Sequence, residues 1–217
     1  LLLLEGSGSA IPPVRADATI LIVPASIPHE YLAGYLGGYR LLLADFVVVT
    51  MCEEPFGSPS KISSLRSLIE ESWDPGTAGK VPRGATKVVR TVFRPTPTRS
   101  VSGARVFVTT TAPEVVGESM KRHLEDEHGC EVVGMSHSLS DRHKLQEELR
   151  GLKDRADMLL CEIKAAGIDV ATRRALEEGL EVAYMDNVPH GIDGDDPAAL
   201  VEQAAAAAIA AVGRERE

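Results

Sequence analysis

Short apolar runs alternate with longer stretches of mixed polarity along most of this chain. Thr19–Val23 (TILIV), Phe46–Thr50 (FVVVT) and Lys87–Phe93 (KVVRTVF) are such runs, and Leu1–Leu4 reads the same way. The pattern predicts a strand at each, with helices over about Ile27–Leu43 and Ser60–Trp73 between them. The rhythm is cleaner further on. Strands are predicted at Arg105–Thr109, Cys130–Met135, Met158–Ile163 and Glu181–Met185. Helices are predicted at Pro113–His128, Asp141–Leu152, Val170–Glu178 and Pro197–Val212. Apolar runs that do not alternate with polar residues suit strands buried on both faces. Strands separated by single helices imply parallel order with right-handed crossovers. The predicted fold is α/β, a doubly wound and mostly parallel sheet.

The pattern breaks at Arg94–Gly103 (RPTPTRSVSG), where Pro, Ser, Thr and Gly interrupt any period. This divides the chain into residues 1–93, a linker at 94–103, and an α/β subdomain at 104–217. Asp74–Gly84 (DPGTAGKVPRG) is a second loop. The two parts are either subdomains facing one cleft or one continuous sheet.

Composition narrows the function classes. The 217 residues are 44% hydrophobic but only 4% aromatic, so the core must be built from Val, Leu, Ile and Ala. A net charge of −9 argues against nucleic-acid binding through a bulk positive field, while leaving room for a local basic pocket. Cys52, Cys130 and Cys161 are far apart and odd in number, which fits a reducing cytoplasm better than a disulfide framework. The opening leucines lack a basic flank and are too few for a signal segment, and the Ala-rich stretch Ala204–Ala211 is too short to span a bilayer. A soluble cytoplasmic protein is expected, with a small-molecule substrate and neither nucleic acid nor membrane as partner. The Ala-rich terminal helix offers a surface for a homodimer.

In a parallel α/β sheet, ligands gather at the carboxyl ends of the strands. Glu5-Gly6-Ser7-Gly8 follows a predicted strand. An acid there can hold Mg²⁺ directly or through water, and the glycines allow a ligand to approach the backbone. The same tetrapeptide also reads as a Gly-rich turn with a solvated acid. Thr110-Thr111 ends a strand and precedes a helix, where hydroxyls and free N–H groups can cap the helix or bind phosphate. Lys164 follows the strand ending at Cys161 and suits a phosphate or carboxylate oxygen, or else pairs with Glu162 or Asp169. Glu162 itself can bind metal or orient Lys164. Arg94 and Arg99 flank the Pro-Thr loop, and a guanidinium can grip phosphate through two parallel hydrogen bonds. Glu53 and Glu54 follow the strand Phe46–Thr50 and can accept from the exocyclic amine of a base. His137 (GMSHSL), His190 (DNVPHG) and the pair Asp186-Asn187 are further polar groups at strand ends. Cys52 has no His or basic neighbour in sequence, which argues against a nucleophile.

Three long stretches carry a more specific signal. EGSGSAIPPV (Glu5–Val14), GYLGGYRLLLADFVVVTMCEEP (Gly34–Pro55) and LLCEIKAAGIDVATRRALEEGLEVAYMDNVP (Leu159–Pro189) together resemble the cyclic 2,3-diphosphoglycerate synthetase family. The Glu-Gly-small-Gly turn is also similar to that of dethiobiotin synthetase and related P-loop enzymes. The resemblance implies an ATP- and Mg²⁺-dependent ligase that closes a phosphoanhydride between the two phosphates of 2,3-diphosphoglycerate. It implies Glu5 as the Mg²⁺ acid and a catalytic group, Lys164 as a second catalytic group, and Gly6, Ser7, Gly8, Arg94, Arg99, Thr110 and Thr111 as phosphate contacts. Glu53 and Glu54 fall to the nucleotide.

The chain contains no GxxxxGK[ST] loop; Gly76-Thr77-Ala78-Gly79-Lys80 has the wrong spacing. In the family that loop lies upstream of the Glu-Gly-Ser-Gly strand. The resemblance therefore implies the carboxyl-terminal half of a longer protein, a P-loop NTPase-like core without its phosphate loop plus a second α/β subdomain. Two other readings stay open: a P-loop kinase or dethiobiotin-type ligase acting on another small acid, and a non-catalytic phosphoanion-binding or dimerisation module.

Overall fold

The computed structural model describes residues 1–6, 11, 13–72, 88–163 and 167–214. The chain forms two compact units, Leu1–Phe93 with Pro189–Glu217, and Arg94–Val188. The division falls inside two strands, and each unit is α/β.

In the first unit, β1 (Ile20–Pro24), β2 (Phe46–Thr50) and β3 (Val88–Pro97) pair in parallel, with Ile22 opposite Val48 and Val48 opposite Val89. Between β1 and β2 lie α1 (His29–Ala33) and α2 (Tyr35–Leu43), and α3 (Pro59–Ser72) follows β2. The single helix expected over Ile27–Leu43 is thus two. Gly34 adopts an extended backbone between them, which no helix can contain. Successive strand side chains point to opposite faces. Val47 and Val49 accordingly pack with Leu32, Leu41, Leu65 and Ile69 on the side of α1–α3. Phe46 and Val89 pack with Leu200 and Ala204 of α7 (Pro197–Arg214) on the other.

That packing alters the expected division at 104–217, because Pro189–Glu217 groups with the first unit. The physical tie is Arg90. Its Nε donates to Asp195 Oδ2 at 2.7 Å, its backbone N–H donates to the same oxygen at 2.9 Å, and its Nη1 reaches Asp193 Oδ2 at 3.0 Å. The two charged groups of the main pair are four-fifths removed from water, so their attraction is weakly screened. The expected linker is also partly structured: Arg94–Pro97 continues β3, and Val101 is buried in the second unit's core. Leu1–Leu4 form no regular structure and are exposed. A strand exists through its ladder, and these leucines join none of those among the described residues.

In the second unit, β4 (Arg105–Thr109), β5 (Glu131–Ser136), β6 (Met158–Glu162) and β7 (Glu181–Gly191) lie in the order β7-β6-β4-β5. All of these pairings are parallel. From β4 the chain moves one way to β5 through α4 (Gly117–His128). It returns past β4 through α5 (Arg142–Glu148) to β6, and continues through α6 (Ile168–Glu177) to β7. Right-handed crossovers running in opposite directions put their helices on opposite faces. Val106, Val108 and Leu160 therefore pack with Met120 and Leu124 of α4, while Phe107, Leu159 and Cys161 pack with Leu145, Ala171 and Ala175 of α5 and α6. Gly129 ends α4 in the left-handed conformation, and Asp141 caps α5 by accepting from His143 and Lys144 N–H groups.

The β4–β5 register slips by one residue between Val106 and Phe107, bringing Gly134 opposite Phe107. A Cβ on Gly134 would lie 2.7 Å from Phe107 Cε2, and the ring is buried with Arg155 5.5 Å from its centroid. Elsewhere in a strand, Gly→Ala is favourable. Here overpacking prevails, and Gly134→Ala is expected to lower unfolding stability by about 1–3 kcal/mol. Adding Phe107→Leu should recover part of that loss, read as a positive coupling in a denaturation double-mutant cycle.

Candidate functional site

The order β7-β6-β4-β5 makes the gap between β4 and β6 a topological switch point. The connection leaving β4 departs to one side and that leaving β6 to the other. Ligand crevices form at such points, beyond the strand carboxyl ends. Thr110, Thr111 and Glu162 meet there.

Thr110 follows β4 directly and is fully buried. Its backbone is held by the β5 turn, with its N–H donating to Ser136 O at 2.9 Å and its carbonyl accepting from Leu139 N–H at 3.3 Å. The Thr110 hydroxyl accepts the Ala112 N–H at 3.0 Å and donates its own proton to Glu162 Oε2 at 2.7 Å. The Thr111 N–H donates to the same oxygen at 2.7 Å. The Thr111 hydroxyl lies 3.1 Å from Oε2 and 3.2 Å from Oε1. One carboxylate at the end of β6 thus takes every donor that the β4 turn offers in these contacts.

A second carboxylate does the same at the end of β5. Ser136 Oγ donates to Glu148 Oε2 at 2.5 Å, and Ser138 Oγ to Glu148 Oε1 at 3.3 Å. Lys144 Nζ stands 3.7 Å from the latter oxygen. Between these groups, His137 Nδ1 lies 2.7 Å from Ala112 O. A carbonyl only accepts, so Nδ1 carries the proton and Nε2 is the free nitrogen of the neutral ring. Gly117 leaves room for that edge: a Cβ there would lie 3.0 Å from Nε2. Sequence reading passed over Ser136, Ser138 and Glu148. The available signal was the Ser-His-Ser run leaving β5, with an acid on the next helix.

The other expected positions are dispersed. Arg99 Nη2 donates to Glu181 Oε2 at 2.8 Å and to Val182 O at 3.1 Å, which puts it at the amino end of β7. At roughly 3.3 Å per residue a five-residue strand is about 16 Å long, so Arg99 stands at the opposite edge of the sheet from Thr110 and Glu162. Its attraction to an exposed acid holds it there. Arg94 lies on β3. Asp186 follows Met185, the register partner of Glu162, and its Oδ1 accepts the Asn187 N–H at 2.9 Å. His190 lies within β7, which runs longer than expected, to Gly191. Lys164 lies outside the described residues, as do Ser7, Gly8 and the Gly76–Lys80 loop.

In the first unit, Glu5 and Gly6 are exposed. The chain leaves β2 through Met51, which has a left-handed φ of 58°, an uncommon state for a non-glycine residue. Glu53 then turns the chain, its carbonyl accepting from Phe56 and Gly57 N–H groups at 3.0 and 2.9 Å. Gly57 fits against Met51 O and Ala25 Cβ, where a Cβ would stand 3.1 and 3.0 Å away. Glu53 is half-buried and Glu54 exposed at this turn. Among the described residues no group of three or more His, Cys, Asp or Glu is placed to hold a metal ion, and no helix is long and apolar enough to cross a membrane.

Comparison with known proteins places these features in a family. The P-loop domain model of cyclic 2,3-diphosphoglycerate synthetase matches residues 1–77, and the carboxyl-terminal domain model of the same enzyme matches residues 97–188. A cyclic 2,3-diphosphoglycerate synthetase of Rubrobacter xylanophilus is 45% identical over 88% of this chain and 41% of its own length. Those of Methanothermus fervidus and Thermococcus gammatolerans are 42% and 43% identical over 88% and 89% of this chain. The chain spans about two fifths of the length of these relatives, 39% and 41% for the last two.

Burial pushes the thiols of Cys52, Cys130 and Cys161 above the ordinary cysteine value. All three should resist alkylation in the native protein at pH 8 and react fully in denaturant, counted by mass spectrometry. The sign for stability follows from the same shifts. The unfolded chain ionises first, so the thiols' contribution is complete below about pH 8.5 and is lost as pH rises through their higher folded values.

Proposed function

The chain belongs to the cyclic 2,3-diphosphoglycerate synthetase family, and from that membership we propose that it is part of an enzyme that cyclises 2,3-diphosphoglycerate at the expense of ATP. The observation that carries the reading is the paired match to both domains of one enzyme, in a chain whose second unit offers oxygen-seeking donors at a switch point.

The chemistry balances in two steps. An oxygen of one substrate phosphate attacks the γ-phosphorus of ATP, and ADP leaves. An oxygen of the neighbouring phosphate then attacks the first substrate phosphorus, the bond to the transferred phosphoryl group breaks, and inorganic phosphate leaves with the ring closed. Phosphoryl transfer needs little covalent help from a protein, so positioning and charge neutralisation carry it.

Each residue's role follows from what it can donate or accept. Thr110 and Thr111 would hold a substrate phosphate through two hydroxyls and an N–H. Their support is the convergence of those donors on a single anionic oxygen. Lys164, two residues beyond Glu162, would neutralise charge accumulating on the transferring group. Arg94 would add to that neutralisation. Glu53 and Glu54 would accept from a nucleotide base at the β2 turn, and Gly6, Ser7 and Gly8 would let phosphate approach the backbone. Glu5 would hold Mg²⁺. Its carboxylate is exposed, which suits an ion that keeps several waters and binds through one or two carboxylates plus phosphates. When bound, Mg²⁺ supplies charge neutralisation at the phosphate oxygens. The buried, protonated thiols suit a cytoplasmic enzyme.

Full-length protein incubated with ATP, Mg²⁺ and 2,3-diphosphoglycerate should yield a cyclic product by phosphorus NMR, with one ADP per ring closed. ADP release with another small acid and no ring from 2,3-diphosphoglycerate would replace this reading with that of a kinase or another ligase. Lys164→Met should lower kcat/KM by about 10²–10³-fold, the range expected for loss of one charge-stabilising group.

A further inference from the structure

Glu162 occupies the donors that the preceding section assigns to a substrate phosphate. Oε2 alone lies within hydrogen-bonding distance of the Thr110 hydroxyl, the Thr111 N–H and the Thr111 hydroxyl. Three donors converging on one anionic oxygen form a set that a phosphate oxygen could take over. The Thr110 donor is also fixed before any ligand arrives. The Thr110 hydroxyl accepts the Ala112 N–H, so its single proton points at Glu162, and Thr110 cannot turn away because it is fully buried with both backbone groups bonded.

We propose that Glu162 is a resident counter-anion, holding the Thr110–Thr111 donor set in the ligand-free protein and yielding it to one phosphoryl group of an entering phosphorylated ligand. The inference rests on the reading that this turn takes a phosphate. Exchange conserves hydrogen bonds at the turn, since each donor passes from one anionic oxygen to another. What changes is charge. A phosphate dianion brings more charge to the donors than a carboxylate does, whereas a neutral ligand or a weak monoanion cannot displace Glu162. Glu162 is half-exposed, so its released carboxylate reaches water at low cost. The device selects for dianionic phosphoryl groups and keeps the turn from standing empty.

The test is titration of the 217-residue chain with inorganic phosphate, following the Thr111 amide by ¹H–¹⁵N NMR, in the wild type, Glu162→Gln and Glu162→Ala. Removing the competing charge should tighten phosphate binding by about fivefold or more in both variants, in line with the strength of charge-assisted hydrogen bonds. Adding Thr110→Val to either variant should abolish the gain. Glu162→Gln keeps the side-chain shape, and a thermal melt of each variant establishes that it is folded. Equal or weaker phosphate binding at Thr111 in the folded Glu162 variants overturns the exchange while leaving the phosphate site standing. A Thr111 amide that ignores phosphate in all three proteins overturns both. Neither result depends on turnover, so the cyclisation assay is judged separately.

Discussion

A parallel sheet brings every strand to the same edge with the same polarity, and the chemistry of each unit is confined by that constraint. Within the second unit the ends of β4, β5 and β6 present Thr110, Ser136 and Glu162 along one line. The amino ends of β4, β6 and β7 present a different set, Arg105 paired with Asp157 and Arg99 paired with Glu181. Helices must cross from one edge to the other, so neither edge can borrow the other's side chains. The polar groups at the carboxyl edge are a consequence of the strand order before they are a consequence of any function.

The edge is notable for how its donors are satisfied. An acidic chain has few cations to spare, yet its strand ends carry buried or half-buried hydroxyls. Two acids supply the acceptors, Glu162 for the threonines after β4 and Glu148 for the serines after β5. Each acid comes from a different element from the hydroxyls it serves, so each also ties two strand connections together. The Arg90–Asp195 pair in the first unit plays the corresponding part for the carboxyl-terminal segment, fixing the turn before α7 so that Leu200 and Ala204 reach Phe46 and Val89.

The strands of the second unit, and the helices that cross it, were legible because their signal is local: a run of Val, Leu and Ile between breakers declares a buried strand wherever it occurs. β4 falls at the predicted residues, Arg105–Thr109. The long-range pairings were not legible. Thr110 and Glu162 are 52 positions apart and Arg90 and Asp195 are 105 apart, and nothing in either neighbourhood names its partner. The same limit explains Leu1–Leu4, whose local pattern is that of a strand but which pairs with none of the described strands. It also explains Arg99. Proximity in sequence to a loop suggested a phosphate contact, whereas the edge on which it lies is decided by Glu181. Glu162 was visible as a candidate, but its role as acceptor for Thr110 and Thr111 required the register of β4 against β6.

Why should the proposed phosphate site hold an acid of its own? Left unpaired, the buried Thr110 hydroxyl would cost about 1–3 kcal/mol. That is already a sizeable share of the 5–15 kcal/mol by which a domain is stable. Water could satisfy the Thr110 hydroxyl only by entering the end of β4, where Thr109 and Thr110 are fully buried, whereas the exposed Thr111 groups face solvent. A carboxylate on the adjacent strand removes the penalty without opening the core. The exchange lowers affinity, because any ligand must displace it. Affinity lost in this way becomes discrimination: only a group that satisfies the same donors, with more charge than a carboxylate carries, gains on entering. In the proposed exchange, smaller anions are held off by the same acid that satisfies the Thr110 hydroxyl in the ligand-free protein.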